Sequence, residues 1–138
     1  MIHPSEDQEQ AALIKWCATR TYGGVFLDEI IFAIPNGGLR NAREAAKLKR
    51  TGVRPGVFDL FLPIGTFTNP TKICFNGLFI EMKKIGGKSS AAQKDFQQLV
   101  DHLGYRAVVC EGWEEAANEI SDYLGMHWWK IPKRQKIK

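Results

Sequence analysis

The feature that most constrains the fold is a pair of short apolar runs, each interrupted by one carboxylate. Residues 57–62 contain Asp59, and residues 78–82 contain Glu81, with Lys83 directly after them. Short apolar runs bounded by Gly and Pro are typical of buried strands rather than of helices. An ionised carboxylate in a buried strand costs free energy unless another group compensates for it. Two such carboxylates, on strands that a connecting loop makes neighbours, predict a shared cation.

The chemistry of this cluster points to a phosphate substrate. Side chains alternate along a strand, so Glu81 and Lys83 are expected on one face and Ile80 and Met82 on the other. Two carboxylates can bind Mg²⁺, which prefers oxygen ligands and accepts substrate phosphate as a further ligand. A neighbouring lysine can orient or deprotonate an attacking water, or bind phosphate as a point charge. The residues alone leave a second interpretation equally open, which is an ordinary ion pair at the end of a sheet.

Two segments around the acids, GVRPGVFDLFL and GLFIEMKK, resemble the signature of PD-(D/E)XK nucleases. More narrowly, the order of motifs along nearly the whole chain resembles the virus-type replication-repair nuclease (VRR-NUC) domains. The other motifs are SEDQEQ near the start, IPNGG at 34–38, SSAAQK before a predicted helix and GYRAVVC after it. The chain departs from the usual family pattern at Phe58, where a proline normally precedes the first acid.

The resemblance implies a restriction-endonuclease-like α/β core, with a small mixed sheet flanked by helices. It also implies an endonuclease that hydrolyses DNA phosphodiesters with Mg²⁺ or Mn²⁺. In such an enzyme Asp59, Glu81 and the carbonyl of Met82 would bind the metal, helped by a glutamate of the first helix. The spacing to the glutamine of SEDQEQ favours Glu6 for that position, with Glu9 as the alternative.

The resemblance assigns Lys83 to water activation and Gln93 to its support. Gln93 follows a Gly- and Ser-rich stretch at 86–90, in a helix with a predicted buried stripe of Phe96, Leu99, Val100 and Leu103. A glutamine that heads an apolar stripe needs a hydrogen-bond partner. Capping of the helix is one explanation for Gln93. The resemblance instead places it beside Lys83, where it would position water or phosphate.

The segment 39–50 is predicted to be a helix with a basic face. At helical spacing it carries Arg40, Arg43, Lys47 and Arg50. A solvated helix face is the ordinary explanation, but this helix leads directly into the Asp59 strand, so contact with DNA phosphates is predicted. Lys84 joins the predicted DNA-binding set, as does Asn36. For Asn36, in an Asn-Gly turn, a purely structural role and a phosphate contact are both open.

Turn signals and periodicity predict the remaining elements. These are a helix from Ser5 to about residue 19, a strand over 25–34, a loop or hairpin over 63–76, a strand over 105–110 and a helix over 113–124. They form one domain over 1–127, followed by a basic tail over 128–138 that is expected to be disordered. Trp128 and Trp129 in this tail either dock on the domain or a second subunit, or stack on unpaired bases.

Charge and composition narrow the class of partner. The formal net charge of +4 is consistent with a polyanionic partner. The three cysteines and three histidines are scattered, so neither a zinc site nor a disulfide framework is predicted. No signal peptide opens the chain, and no apolar run is long enough to span a membrane, which predicts a soluble, cytoplasmic protein.

The substrate follows only from the resemblance. It associates small stand-alone domains with resolution of four-way (Holliday) DNA junctions, here by a homodimer. The alternatives are a monomeric flap or duplex nuclease, and a non-catalytic nucleic-acid-binding module on the same fold.

Overall fold

The computed structural model describes residues 2–35, 41–68, 73–126, 131, 132 and 134. Within these ranges the helices are α1 (Glu6–Cys17), α2 (Ala42–Arg50), α3 (Ala91–His102) and α4 (Trp113–Tyr123). The strands are β1 (Thr21–Tyr22), β2 (Val25–Phe26), β3 (Phe32–Ala33), β4 (Leu60–Leu62), β5 (Thr66–Thr68), β6 (Ile73–Phe75), β7 (Leu78–Lys83) and β8 (Arg106–Glu111). None of the helices in the described part of the chain is both long and apolar enough to cross a membrane.

The central sheet is mixed, with strand order β3-β4-β7-β8. β3 pairs antiparallel with β4, and β4 antiparallel with β7. β7 and β8 run parallel, and α3 makes the crossover between them that a parallel pair requires. β1 with β2, and β5 with β6, form separate two-stranded hairpins. A small mixed sheet with helices against it confirms the α/β fold class expected from the sequence.

The two faces of the sheet are covered differently. One face packs against α1 and α4, and its core includes the fully buried Leu78, Ile80 and Met82 of β7. The other face is aromatic: the rings of Phe61 and Phe79 lie 4.4 Å apart, centroid to centroid, and Phe79 packs edge-on against a phenylalanine of α3. The alternation predicted for β7 is therefore observed. It leaves Glu81 and Lys83 on the face of the sheet opposite Ile80 and Met82.

Two predicted elements differ from the structure near the start of the chain. Residues 25–34 are not one strand, because a 3-10 turn at Leu27–Glu29 separates β2 from β3. Leu27 is fully buried, so its side chain draws the backbone inward and interrupts the strand. The basic helix begins at Ala42, since Asn41 caps it by accepting a hydrogen bond from the N–H of Glu44 at 2.8 Å.

The predicted buried stripe of α3 is correct at Phe96 and Val100 and wrong at Leu99 and Leu103. Leu99 and Leu103 are 57% and 55% exposed, whereas Val100 is buried. Gln97 occupies the inward position instead, and its side-chain amide donates a hydrogen bond to the carbonyl of Ala107 in β8 at 2.9 Å. The helix tolerates a polar residue facing inward because the carbonyl of Ala107 accepts the hydrogen bond of the Gln97 side chain. With Gln97 facing inward, Leu99 and Leu103 face the solvent.

The described part of the C-terminal tail is attached to the domain. Ile131 packs against the core, and Arg134 makes ion pairs with residues of α1 and α4. The expectation of a disordered tail is therefore wrong at these two positions. Trp128 and Trp129 lie outside the described residues, so the choice between docking and base stacking stays a prediction.

Gly56 sits where the loop before β4 touches α3. Its φ is +85°, and a Cβ there would lie 2.3 Å from the carbonyl oxygen of Ala92. Gly52 also has a positive φ, +105°, but nothing lies within 4 Å of its Cβ position. We expect Gly56→Ala to destabilise the protein more than Gly52→Ala. Both substitutions cost about 1–2 kcal/mol of backbone strain, but only the first displaces the loop from α3. Urea unfolding of the two variants measures the difference, and equal losses would contradict this contact.

Candidate active site

The register of β4 and β7 places Asp59 beside Glu81. Leu60 pairs with Ile80, and Asp59 lies one residue beyond that pair, opposite Glu81. The backbone carbonyl of Asp59 accepts a hydrogen bond at 2.7 Å from the residue that follows β3. Its carboxylate oxygen Oδ2 accepts a hydrogen bond from the N–H of Met82 at 2.9 Å. These two bonds hold the Asp59 carboxylate against β7 just outside the end of β4.

Glu81 is buried, with 3% of its surface exposed. Its Oε2 accepts a hydrogen bond from Nε2 of Gln93 at 2.9 Å and lies 3.5 Å from Nζ of Lys83. Its Oε1 is buried and has no hydrogen-bond partner among the described residues. Burial, followed by the neighbouring Asp59 carboxylate, raises the pKa of Glu81 from 4.5 to about 7. A cation between these carboxylates would compensate both charges and give Oε1 a partner.

Lys83 lies between two glutamates from different layers. Besides the contact with Glu81, its Nζ is 3.9 Å from Oε1 of Glu6, the first residue of α1. Glu6 is about half exposed, so it reaches this end of the sheet from the solvent side. The backbone carbonyl of Lys83 accepts a hydrogen bond from the N–H of Gly112 at 2.9 Å. Lys83 is thus held by both its side chain and its backbone.

Glu9, the alternative to Glu6, has other partners. It is 1% exposed, its Oε2 is 2.5 Å from Nη2 of Arg134, and its Oε1 accepts a hydrogen bond from the N–H of Trp113 at 3.3 Å. Both of its oxygens are therefore engaged within the fold. Of the two glutamates, the geometry favours Glu6 as the one that faces the site.

Gln93 caps α3 and also contacts Glu81, while its predicted role in positioning water or phosphate stays a prediction. Its backbone N–H donates to Oγ of Ser90 at 3.1 Å, and its Oε1 accepts from the N–H of Ser90 at 2.9 Å, which closes a capping box. A glutamine amide has a separate donor group. That group bonds Oε2 of Glu81, the oxygen that faces Lys83, so Gln93 reaches the lysine through Glu81.

The predicted DNA-binding residues are exposed where the structure describes them. Arg43, Lys47 and Arg50 lie on α2, a helix with no buried residue, and Lys84 follows β7 directly. Arg40 and Asn36 lie outside the described residues.

The donor set at the sheet end fits a hard divalent cation. Within the described ranges, no group of three or more His, Cys, Asp and Glu residues is arranged to bind a metal. Mg²⁺, however, commonly takes one or two carboxylates and keeps several waters. Asp59 and Glu81 supply two carboxylates. The buried Oε1 of Glu81 has no hydrogen-bond partner in the described part of the chain, so a cation bound there would compensate its negative charge. The carbonyl of Met82 is a further oxygen donor from the same strand.

Two features of the site region were not identified from the sequence. Phe58, at the position of the usual proline, is fully buried and packs against Phe96 with ring centroids 5.3 Å apart, so it anchors the loop onto α3. The second is the partner of the buried Glu9. The sequence analysis offered Glu9 only as an alternative metal ligand, and no local pattern pointed to Arg134 as its partner.

No protein-family model matches the sequence, and none of the curated proteins is significantly similar to it. Among solved structures, a VRR_NUC domain protein superposes on this fold with a TM-score of 0.77 and 30% sequence identity. The match covers 90% of this chain and 91% of that one. The chain therefore belongs to the VRR-NUC family and is a nuclease domain with the PD-(D/E)XK fold.

Proposed function

We propose that this protein is a Mg²⁺- or Mn²⁺-dependent, structure-selective DNA endonuclease. The observation that carries the proposal is the difference between the two carboxylate oxygens of Glu81. One of its oxygens is bound by Gln93 and faces Lys83, while the other is buried and without a hydrogen-bond partner in the described structure, beside a second carboxylate. An ordinary structural ion pair would need neither Asp59 nor the orphan oxygen. A module that only binds DNA gains nothing from acids that face phosphate.

The proposed roles in metal binding and water activation fall to different residues of the chain. Asp59, Glu81 and the Met82 carbonyl would hold the metal, with Glu6 as a contributor from α1. When bound, the metal supplies an activated water and neutralises charge on a phosphoryl oxygen. Lys83, which Glu81 and Glu6 flank at 3.5 and 3.9 Å, would orient or deprotonate the attacking water.

Gln93 would act indirectly, by orienting the Glu81 carboxylate and not by contacting the reacting atoms. Its hydrogen bond to Oε2 restricts the rotation of the Glu81 carboxylate, so that Oε1 would be available to bind the metal. Partners that orient a metal ligand in this way commonly affect metal affinity and activity about 10- to 100-fold. The capping box ties that amide to the first turn of α3, so its orientation is set by the helix.

DNA would approach over α2. Arg43, Lys47 and Arg50 are exposed on this helix, which the 51–58 loop joins to the Asp59 strand. We include Arg40, Asn36 and Lys84 in the same phosphate-binding set. Each phosphate contact adds to the salt dependence of binding, so this helix would govern affinity rather than chemistry.

The favoured substrate is a four-way junction, cut by a homodimer. One active site nicks one strand, and junction resolution requires two symmetric nicks, which a two-fold pair of chains supplies. The exposed leucines of α3, Leu99 and Leu103, offer apolar surface for such pairing. The runner-up is a monomer that cleaves flaps or duplex DNA.

A panel of labelled duplex, flap, splayed and four-way junction DNA tests these statements, with light scattering on the same preparation. We expect a dimer at micromolar concentration, and symmetric nicks in the junction at a higher rate than in linear duplex. Asp59→Asn protein serves as the control for contaminating nuclease. A monomer that prefers flaps would replace the junction proposal and leave the nuclease proposal intact. No cleavage of any of the DNAs with Mg²⁺ or Mn²⁺ would overturn both.

A further inference from the structure

Arg134 lies between two buried carboxylates that belong to different helices. Its Nη2 is 2.5 Å from Oε2 of Glu9 in α1, and its Nε is 2.5 Å from Oε2 of Glu114 in α4. The side chains of Glu9 and Glu114 are only 1% and 10% exposed. Loss of one partner from a buried ion pair is strongly destabilising, because the remaining charge stays uncompensated. Arg134 is thus the cation that allows α1 and α4 to pack with two acids between them.

A second contact fixes the chain just before Arg134. The side-chain amide of Asn118 in α4 donates to the carbonyl of Ile131 at 2.7 Å, and its oxygen accepts from the N–H of Ile131 at 3.0 Å. The Ile131 side chain packs against the core. Two hydrogen bonds, an apolar anchor and an ion cluster within four residues define a specific attachment.

Two short series of contacts connect Arg134 with the active site, one through α1 and one through Gly112. Glu9 lies three residues after Glu6 on α1, one helical turn away. Arg134 also approaches Gly112 closely, since a Cβ at residue 112 would lie 2.9 Å from Nη2. The N–H of Gly112 donates to the carbonyl of Lys83 at 2.9 Å. One guanidinium therefore touches both the helix that carries Glu6 and the turn that holds the backbone of Lys83.

We propose that Arg134 is a positioning residue for the active site. It ties α1 to the turn at Gly112, and so keeps Lys83 in place between Glu81 and Glu6. The consequence for activity rests on the proposed nuclease function, whereas the structural coupling can be measured without it. The competing explanation is that Arg134 contributes only to global stability.

The test compares Arg134→Gln with Arg106→Gln. Arg106 also joins β8 to α4 by an ion pair, at 3.3 Å to Glu119, but both partners are substantially exposed. We expect Arg134→Gln to accelerate hydrogen exchange at the Gly112 and Trp113 amides about tenfold or more, with the central strands exchanging as in the control. We expect kcat for DNA cleavage to fall about 10- to 100-fold with little change in KM. Arg106→Gln should change neither hydrogen exchange at the Gly112 and Trp113 amides nor kcat.

A double variant separates positioning from simple loss of charge compensation. In Glu9→Gln/Arg134→Gln the buried charge on α1 is removed along with its partner. We expect kcat to stay as low as in Arg134→Gln alone, because the contact that ties α1 to the Gly112 turn is still missing. Recovery of kcat towards wild type would assign the loss to the uncompensated charge of Glu9 and would overturn the positioning role.

The hydrogen-exchange experiment tests the role of Arg134 independently of the nuclease proposal. If the wild-type protein cleaves no DNA, the exchange measurement still decides the role of Arg134. A uniform acceleration of exchange with a lower unfolding temperature would reduce Arg134 to a stabilising residue. Exchange at Gly112 and Trp113 that matches the Arg106→Gln control would also overturn its positioning role.

Discussion

Glu81→Gln and Lys83→Met proteins should each lose about 10²- to 10³-fold or more of the DNA cleavage rate, because the first removes a proposed metal ligand and the second removes the charge proposed to act on the attacking water. Both substitutions preserve approximate side-chain volume. Gln at position 81 can still accept the hydrogen bond from Gln93, so its loss of activity would report on charge rather than on packing. Single-turnover cleavage of labelled DNA measures the chemical step. Single and double variants should lose similar amounts, because the groups function together.

The stability of Glu81→Gln should move in the opposite direction from its activity. Burial and the Asp59 carboxylate both disfavour the ionised form of Glu81, as its raised pKa reflects. An ionised Glu81 therefore costs folding free energy in metal-free buffer at pH 7 and above; this cost grows between about pH 4.5 and 7 and is absent at lower pH. A neutral glutamine removes it. We expect the free energy of unfolding of the variant to equal or exceed that of the wild type. Active sites often carry such a cost, since function requires the destabilising group.

Two substitutions outside the site serve as matched controls. Glu119→Gln removes a partly exposed acid from α4, and Lys94→Met removes an exposed lysine from the first turn of α3. Both should cleave at near wild-type rates. Cleavage by Lys83→Met at a similar rate would exclude the lysine from the mechanism, and an unfolded Glu81→Gln protein would contradict the stability argument.

Removal of divalent metal should abolish cleavage completely. EDTA should stop the reaction, Mg²⁺ or Mn²⁺ should restore it, and Ca²⁺ should support DNA binding with little turnover, because Ca²⁺ tolerates a looser coordination geometry than Mg²⁺. The orphan Oε1 of Glu81 and the neighbouring Asp59 are the structural basis for this expectation.

Metal binding can be measured without activity. A ligand that binds only the folded state raises the unfolding temperature. Mn²⁺ should therefore raise it for the wild-type protein and have little effect on Asp59→Asn. Lys94→Met, which leaves the acids intact, should respond as the wild type does. Cleavage that persists in EDTA, or an equal thermal shift in Asp59→Asn, would show that the acids do not bind the metal.

Local sequence patterns predicted the elements around the site well. The acids of two short apolar runs lie side by side, and Glu81 and Lys83 share a face, because the alternation of side chains along a strand needs no information beyond the strand itself. The predicted start of the first helix at Ser5 was also correct, since the capping box that Ser5 forms there is completed within four residues. The VRR-NUC family and its fold are confirmed by the structural match. The catalytic, metal-binding and DNA-binding roles of the residues stay predictions.

The tertiary structure decided which partner each buried polar group takes. Glu6 and Glu9 belong to one helical stripe, and only the packing of α1 directs the first towards Lys83 and the second towards Arg134. The same applies to α3, where a carbonyl of β8 satisfies Gln97 and the helix turns Leu99 outward. Hydrophobic periodicity is repeated along a segment and can be recognised there. The partner of a buried charge is a single contact, which for Glu9 spans 125 positions of the chain. No local pattern encodes such a contact, because it exists only once the helices have packed.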